Sequence, residues 1–162
     1  MPFRRHSVIV VVLLASASVA GCSDAGPVNS DVLDHEGARK EYSAFIEKLD
    51  FPSGSEAPSF PAAVKEQQPD GTMGFSNYEK GYGESFAASQ WYCMWEEQWL
   101  EINEEDPNAA DEALTLLEGS LTDEAFTRYL DESTIDWRQS VLDKARLGDG
   151  SSIAQDVKLN CS

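Results

Sequence analysis

The amino-acid sequence predicts an all-α fold, four to five helices packed around a central tryptophan-rich helix, with a proline-rich extended strap between the first and second helices. Three observations lead there. The stretch Tyr82 to Ile102 holds three of the four tryptophans, and at about 100° per residue Trp91, Trp95, Trp99 and Ile102 share a sector with Ala88. Phe86, Cys93 and Leu100 fall nearly opposite, so this helix is apolar on two sides and calls for cover on both. Its polar residues form two narrow flanks, Gln90, Glu97 and Glu101 on one and Ser89, Glu96 and Asn103 on the other. Second, most of the remaining chain reads as capped segments of helical period. Third, residues 51–77 break that period with four of the seven prolines.

In chain order, Ser30 or Asp31 is a plausible cap for a first helix over Val32 to Asp50, with Ala38, Tyr42, Phe45, Ile46 and Leu49 on one face. Phe51-Pro52 ends it, because a residue before proline avoids the helical region. Between Phe51 and Asn77 stand Phe51, Phe60 and Phe75, anchors for a strap lying across helices. Pro61 to Gln67 suggests one or two helical turns, and Pro69-Asp70-Gly71 a turn. After the tryptophan helix, Asp106-Pro107 caps a third helix with Ala110, Ala113, Leu114 and Leu117 inward, ended by Gly119. Thr122 caps a short helix through Leu130, with Leu121 against Phe126 as a staple. Ser133 with Asp136 starts the last long helix, which buries Ile135, Trp137, Val141, Leu142 and Ala145 and carries Lys144 and Arg146 in its final turn. Residues 151–162 fit a helix through Ile153 and Val157, or a strand through Val157, Leu159 and Cys161.

The first 21 residues stand outside this domain. Arg4 and Arg5 form a positive n-region, and Val8 to Leu14 is an apolar run too short to span a bilayer, the pattern of an export signal. Val19-Ala20-Gly21-Cys22 follows, and it resembles the lipobox of bacterial lipoprotein precursors at all four positions. The resemblance covers residues 1–22 only. It implies that a diacylglycerol is attached to the Cys22 thiol, that the signal is cut before it, and that Cys22 is the lipid anchor. The expected organisation is a signal peptide over 1–21, a lipidated tether over 22–30, small and polar with Gly26 and Pro27, and an acidic helical domain over 31–162. Acyl chains meet the requirement for stable anchoring without a transmembrane helix.

With Cys22 set aside, Cys93 and Cys161 remain, and an even pair in an exported, oxidising setting reads as a disulfide. A metal site or a nucleophilic thiol would need histidines that the exported part lacks, since it has His35 alone. That part carries ten Lys and Arg against 29 Asp and Glu once Arg4 and Arg5 leave with the signal, a net charge of −19. Such a surface repels phosphate backbones, so nucleic acid is excluded as a partner.

Candidate chemistry is sparse. His35 in an acidic helix reads as a surface residue, and no nucleophile elbow, P-loop or Cys-x-x-Cys occurs. From Gly81 to Thr127 there is no Lys or Arg but twelve carboxylates, several of them around Glu104 to Glu112. Calcium favours such oxygen clusters, yet Asp106 to Asp111 lacks the spacing and central glycine of an EF-hand. Glu96 and Glu97 beside Trp95 and Trp99 are the nearest thing to a glycan hydrolase acid in an apolar pocket. The sequence therefore points to a membrane-anchored, extracytoplasmic lipoprotein acting as a non-enzymatic binding or interaction module for a protein or small molecule. No cofactor is implied. A wall-glycan hydrolase and a loose cation binder stand as alternatives.

Overall fold

The computed structural model describes residues 31–161. The expected signal peptide over 1–21, the expected lipidated tether over 22–30 with Cys22, and Ser162 lie outside the described residues. The described chain is mostly helical, with six helices and two two-stranded antiparallel sheets. In order these are β1 (Val32–Leu33), α1 (His35–Ile46), β2 (Lys65–Gln67), β3 (Met73–Phe75), β4 (Tyr78–Glu79), α2 (Tyr82–Ile102), α3 (Pro107–Ser120), α4 (Glu124–Thr127), α5 (Glu132–Arg146) and α6 (Ser151–Asn160).

The first helix begins later than predicted. Val32 and Leu33 pair with Glu79 and Tyr78 across β1 and β4, so the cap passes to Asp34, whose carboxylate accepts from Gly37 N at 2.8 Å. The chain leaves α1 at Ile46, and Leu49 and Phe51 fold back onto the core. The indole Nε1 groups of Trp91 and Trp95 both donate to the Asp50 carbonyl, at 2.7 and 3.1 Å, pinning this corner to α2.

α1 and α2 cross closely because Gly83 lies at the contact. A Cβ there would stand 2.1 Å from the Ala38 carbonyl oxygen and 2.7 Å from Tyr42 N. The cap of α2 is also supplied by α1, since the Glu41 carboxylate accepts from Gly81 N at 2.9 and 3.0 Å and from Gly83 N at 3.3 Å. A negative group at a helix N-terminus satisfies free N–H groups and complements the helix dipole.

Residues 51–77 hold strand where helical turns were expected, since Pro61 to Gln67 runs into β2. Asp70 accepts from Thr72 N at 2.9 Å and Gly71 adopts φ +84°, and these make the turn to β3. Phe60 packs on His35, Tyr42 and Phe86 with centroids 5.3, 5.4 and 5.9 Å away. Tyr42 Oη donates to the Pro58 carbonyl. Phe75, expected as a third anchor, faces solvent instead.

Buried side chains form two clusters, one around Tyr42, Phe45, Ala87 and Ala88 between α1 and α2, the other joining α2, α3, α5 and α6. In the second, Trp91, Tyr92 and Trp99 meet Leu114, Leu117, Leu142 and Ile153. α5 opens at Asp131, which accepts from Thr134 N at 2.8 Å, rather than at Ser133. The short α4 opens in the same way, capped by Asp123 and not Thr122. Arg146 at the end of α5 grips α3, donating through Nε and Nη2 to Glu118 at 2.9 and 2.8 Å and through Nη1 to Asp111. Residues 151–160 are helical, and Cys93 and Cys161 form a disulfide with Cα atoms 5.5 Å apart.

Candidate functional site

The polar interior lies where α2, α5 and α6 meet beneath the disulfide. Ser89, Tyr92 and Glu96 follow one another at i, i+3 and i+7 and share a face of α2. Asp156 and Asn160 are one turn apart on α6, and the Asn160 amide donates to the Asp156 carboxylate. From α5 come Thr134, Trp137 and Arg138. Ser89, Tyr92, Thr134, Trp137, Arg138, Asp156 and Asn160 line a cavity of about 340 Å³, which Cys93 also borders.

The guanidinium of Arg138 sits 4.0 Å from the centroid of the Tyr92 ring, a cation over an aromatic face. Tyr92 Oη, Glu96 Oε1 and Arg138 Nε are buried without a hydrogen-bond partner among the described residues. Tyr92 and Arg138 border the cavity, where water or a ligand supplies the partners these groups lack within the protein.

Glu96 is 0 % exposed. Burial first, then the charge of Asp156 and a hydrogen bond with it, push its pKa up to about 9, with Arg138 opposing in part. Two carboxyls this close, away from water, do not both ionise, so Glu96 keeps its proton at neutral pH. Burial and the neighbouring Glu96 likewise raise the Tyr92 phenol. Glu96 Oε2 lies 3.9 Å from Cys161 Sγ, a sulfur that is bonded to Cys93 and has no proton to give.

The sequence-derived candidates are distributed differently from expectation. Glu96, read as part of a polar flank, is interior, whereas its neighbour Glu97 is exposed. Trp91 and Trp99 are buried and Trp95 is half-buried, so these indoles offer no open face to a sugar. Trp137, expected in the core, is 44 % exposed at the rim of the cavity. His35 is half-buried rather than free on the surface, donating from Nε2 to the Pro61 carbonyl at 2.8 Å.

The acidic stretch is dispersed among separate tasks. Asp106 caps α3 by accepting from Ala109 N, while Asp111 and Glu118 bind Arg146. Among the described residues no group of three or more His, Cys, Asp or Glu side chains is disposed to hold a metal ion. Nor is any described helix long and apolar enough to cross a membrane.

Sequence reasoning missed Tyr92, Arg138 and Asp156. A usable signal existed in Asp156, three residues after Ile153 and one before Val157, a carboxylate set within the apolar stripe of α6. No family model matches the chain, and neither a curated protein nor a solved structure matches it, so the chemistry of this cavity is what bears on function.

Proposed function

We propose that this chain is a lipid-anchored, extracytoplasmic binding domain, exported through residues 1–21, held at the outer face of a bacterial cytoplasmic membrane by lipid on Cys22, and non-enzymatic. The n-region, the h-region and the four lipobox positions support export and anchoring. In this reading α2 is the central scaffold and 51–77 a strap. The burial of Trp91 and Trp99 and the packing of Phe60 on Tyr42 and Phe86 support that organisation.

One observation carries the binding role, namely the meeting of Arg138, Asp156 and Trp137 around one cavity. Arg138 offers donors, Asp156 offers an acceptor, and Trp137 offers a planar apolar face within a space suited to a small molecule. A ligand presenting a carboxylate, an amide N–H and a flat group in a short span fits that set, as the C-terminus of an acylated peptide does. The net charge of −19 argues against nucleic acid.

The protonated Glu96 is the one feature that favours the hydrolase reading, since a general acid must hold its proton. It is enclosed, however, at 0 % exposure, and so offers its proton to no bound glycan. Thermal-shift titration with N-acetylated dipeptides and, separately, with N-acetylglucosamine oligomers tests the two readings. A rise in Tm with the dipeptides that Trp137→Ala abolishes supports peptide-like binding. Cleavage of the oligomers sinks the non-enzymatic reading, and no response to the dipeptides sinks the ligand assignment. Acylation of the N-terminal peptide, read by mass, tests the anchor, and its absence removes that part.

A further inference from the structure

The β2–β3 hairpin leaves two large apolar side chains, Met73 and Phe75, exposed on one face. In its register Lys65 stands opposite Phe75 and Gln67 opposite Met73, so these four share one face, while Glu66 and Gly74 occupy the other. Met73 is 62 % exposed and Phe75 53 %. The Lys65 ammonium lies 5.5 Å from the centroid of the Phe75 ring. A thioether, an aromatic ring and a lysine with a long aliphatic stem form the kind of face that settles at a lipid–water boundary.

The place where the described chain begins gives this face an occupant. Lys80 N donates to the Asp31 carbonyl at 2.8 Å, and β1 pairs with β4, so the root of the N-terminal segment is bonded to the strand that follows the hairpin. Phe75 is three residues from Tyr78, a Cα separation of at most about 11 Å. Nine Cα-to-Cα steps separate Cys22 from Asp31, a span of at most roughly 30 Å. A lipid on Cys22 therefore confines the hairpin to the neighbourhood of the bilayer. The domain's acidity opposes spontaneous adsorption, so contact depends on that confinement.

We propose that the Met73–Phe75 face of the hairpin rests on the bilayer that holds Cys22 and sets the orientation of the domain. The proposal rests on the anchored reading above, and its test is arranged to be independent of it. A chain starting at residue 22, with Cys22→Ser and a hexahistidine extension ahead of it, is held on phosphatidylcholine vesicles by nickel-chelating lipid. This places residue 22 at the surface whether or not cells acylate it. A polarity-sensitive dye is attached at Phe75→Cys or, as the control, at Leu147→Cys, a site 88 % exposed after α5. Spin-labelled lipids should quench the dye at position 75 at least about twofold more than at 147, and adding Met73→Asp should erase the difference. Equal quenching at both sites, or none at either, overturns the proposal. So does a blue-shifted signal at 75 without vesicles, which would show that a second copy of the chain covers this face. Missing acylation in cells removes the natural anchor and leaves the vesicle result as the judgement on the hairpin face.

Discussion

Glu96 on α2 and Asp156 on α6 are both buried, and the Asp156 charge bears on the Glu96 carboxyl near the disulfide that ties the end of α6 to α2. The folded chain holds the Glu96 proton to about pH 9, against 4.5 for the free group. Between those values the folded state binds more protons than the unfolded, so the contribution is whole below about pH 4.5 and is lost as pH rises toward about 9. Denaturant unfolding should therefore show stability falling by of order 3 kcal/mol from about pH 5 to about pH 8. Glu96→Gln, neutral at every pH, should flatten that slope. A wild-type profile as flat as that of the variant would refute the protonated, buried Glu96. Asp131 and Asp149, whose pKa values are lowered by hydrogen bonds from Ser133 and Ser151, act on the other side, and their contributions fade only on acidification below this window.

Reducing the Cys93–Cys161 bridge, or replacing both residues by serine, should lower stability by about 4 kcal/mol on the chain-entropy account, the two cysteines being 68 apart in sequence. The measurement is the urea midpoint with and without reductant. Because α6 then depends on packing alone, hydrogen exchange over 151–160 should quicken first. Uniform loss of protection across the chain would instead assign α6 to the global unfolding unit.

Gly83→Ala tests the crossing of α1 and α2. A methyl group there meets the Ala38 carbonyl and the Tyr42 amide, both backbone atoms that cannot rotate aside. The helices must separate, at a cost of about 3 kcal/mol or more. A Tm within a degree or two of wild type would show that the crossing is looser than this geometry.

Glu41→Ala removes the carboxylate that caps α2 from another helix. The loss should be about 1 to 2 kcal/mol, since Gly81 has no capping side chain of its own. Glu41→Gln, which keeps an acceptor without the charge, should fall between the two in the same thermal scan. Equal effects of both variants would mean that the hydrogen bonds contribute nothing beyond charge.

Local order was legible in the sequence wherever the signal was itself local. Asp106-Pro107 opens α3 as predicted, and Ala110, Ala113, Leu114 and Leu117 are inward. The cysteine pairing followed from arithmetic, since two cysteines have one connectivity. By contrast, Val32 and Leu33 have apolar spacing compatible with helix, and only their pairing with Tyr78 and Glu79 makes them strand. That partner lies too far along the chain for periodicity to register it.

What the sequence by itself determined is the helical character, most of the helical segments and the pairing of Cys93 with Cys161, because period, capping chemistry and a count of thiols act within a few residues or without regard to distance. Tertiary structure alone decided that Glu96 is enclosed against Asp156 while Trp137 stands at an open rim. A residue's environment is set by which neighbouring helix covers it. α6, brought onto α2 and tied there by the disulfide, covers the carboxylate and leaves the indole in the open.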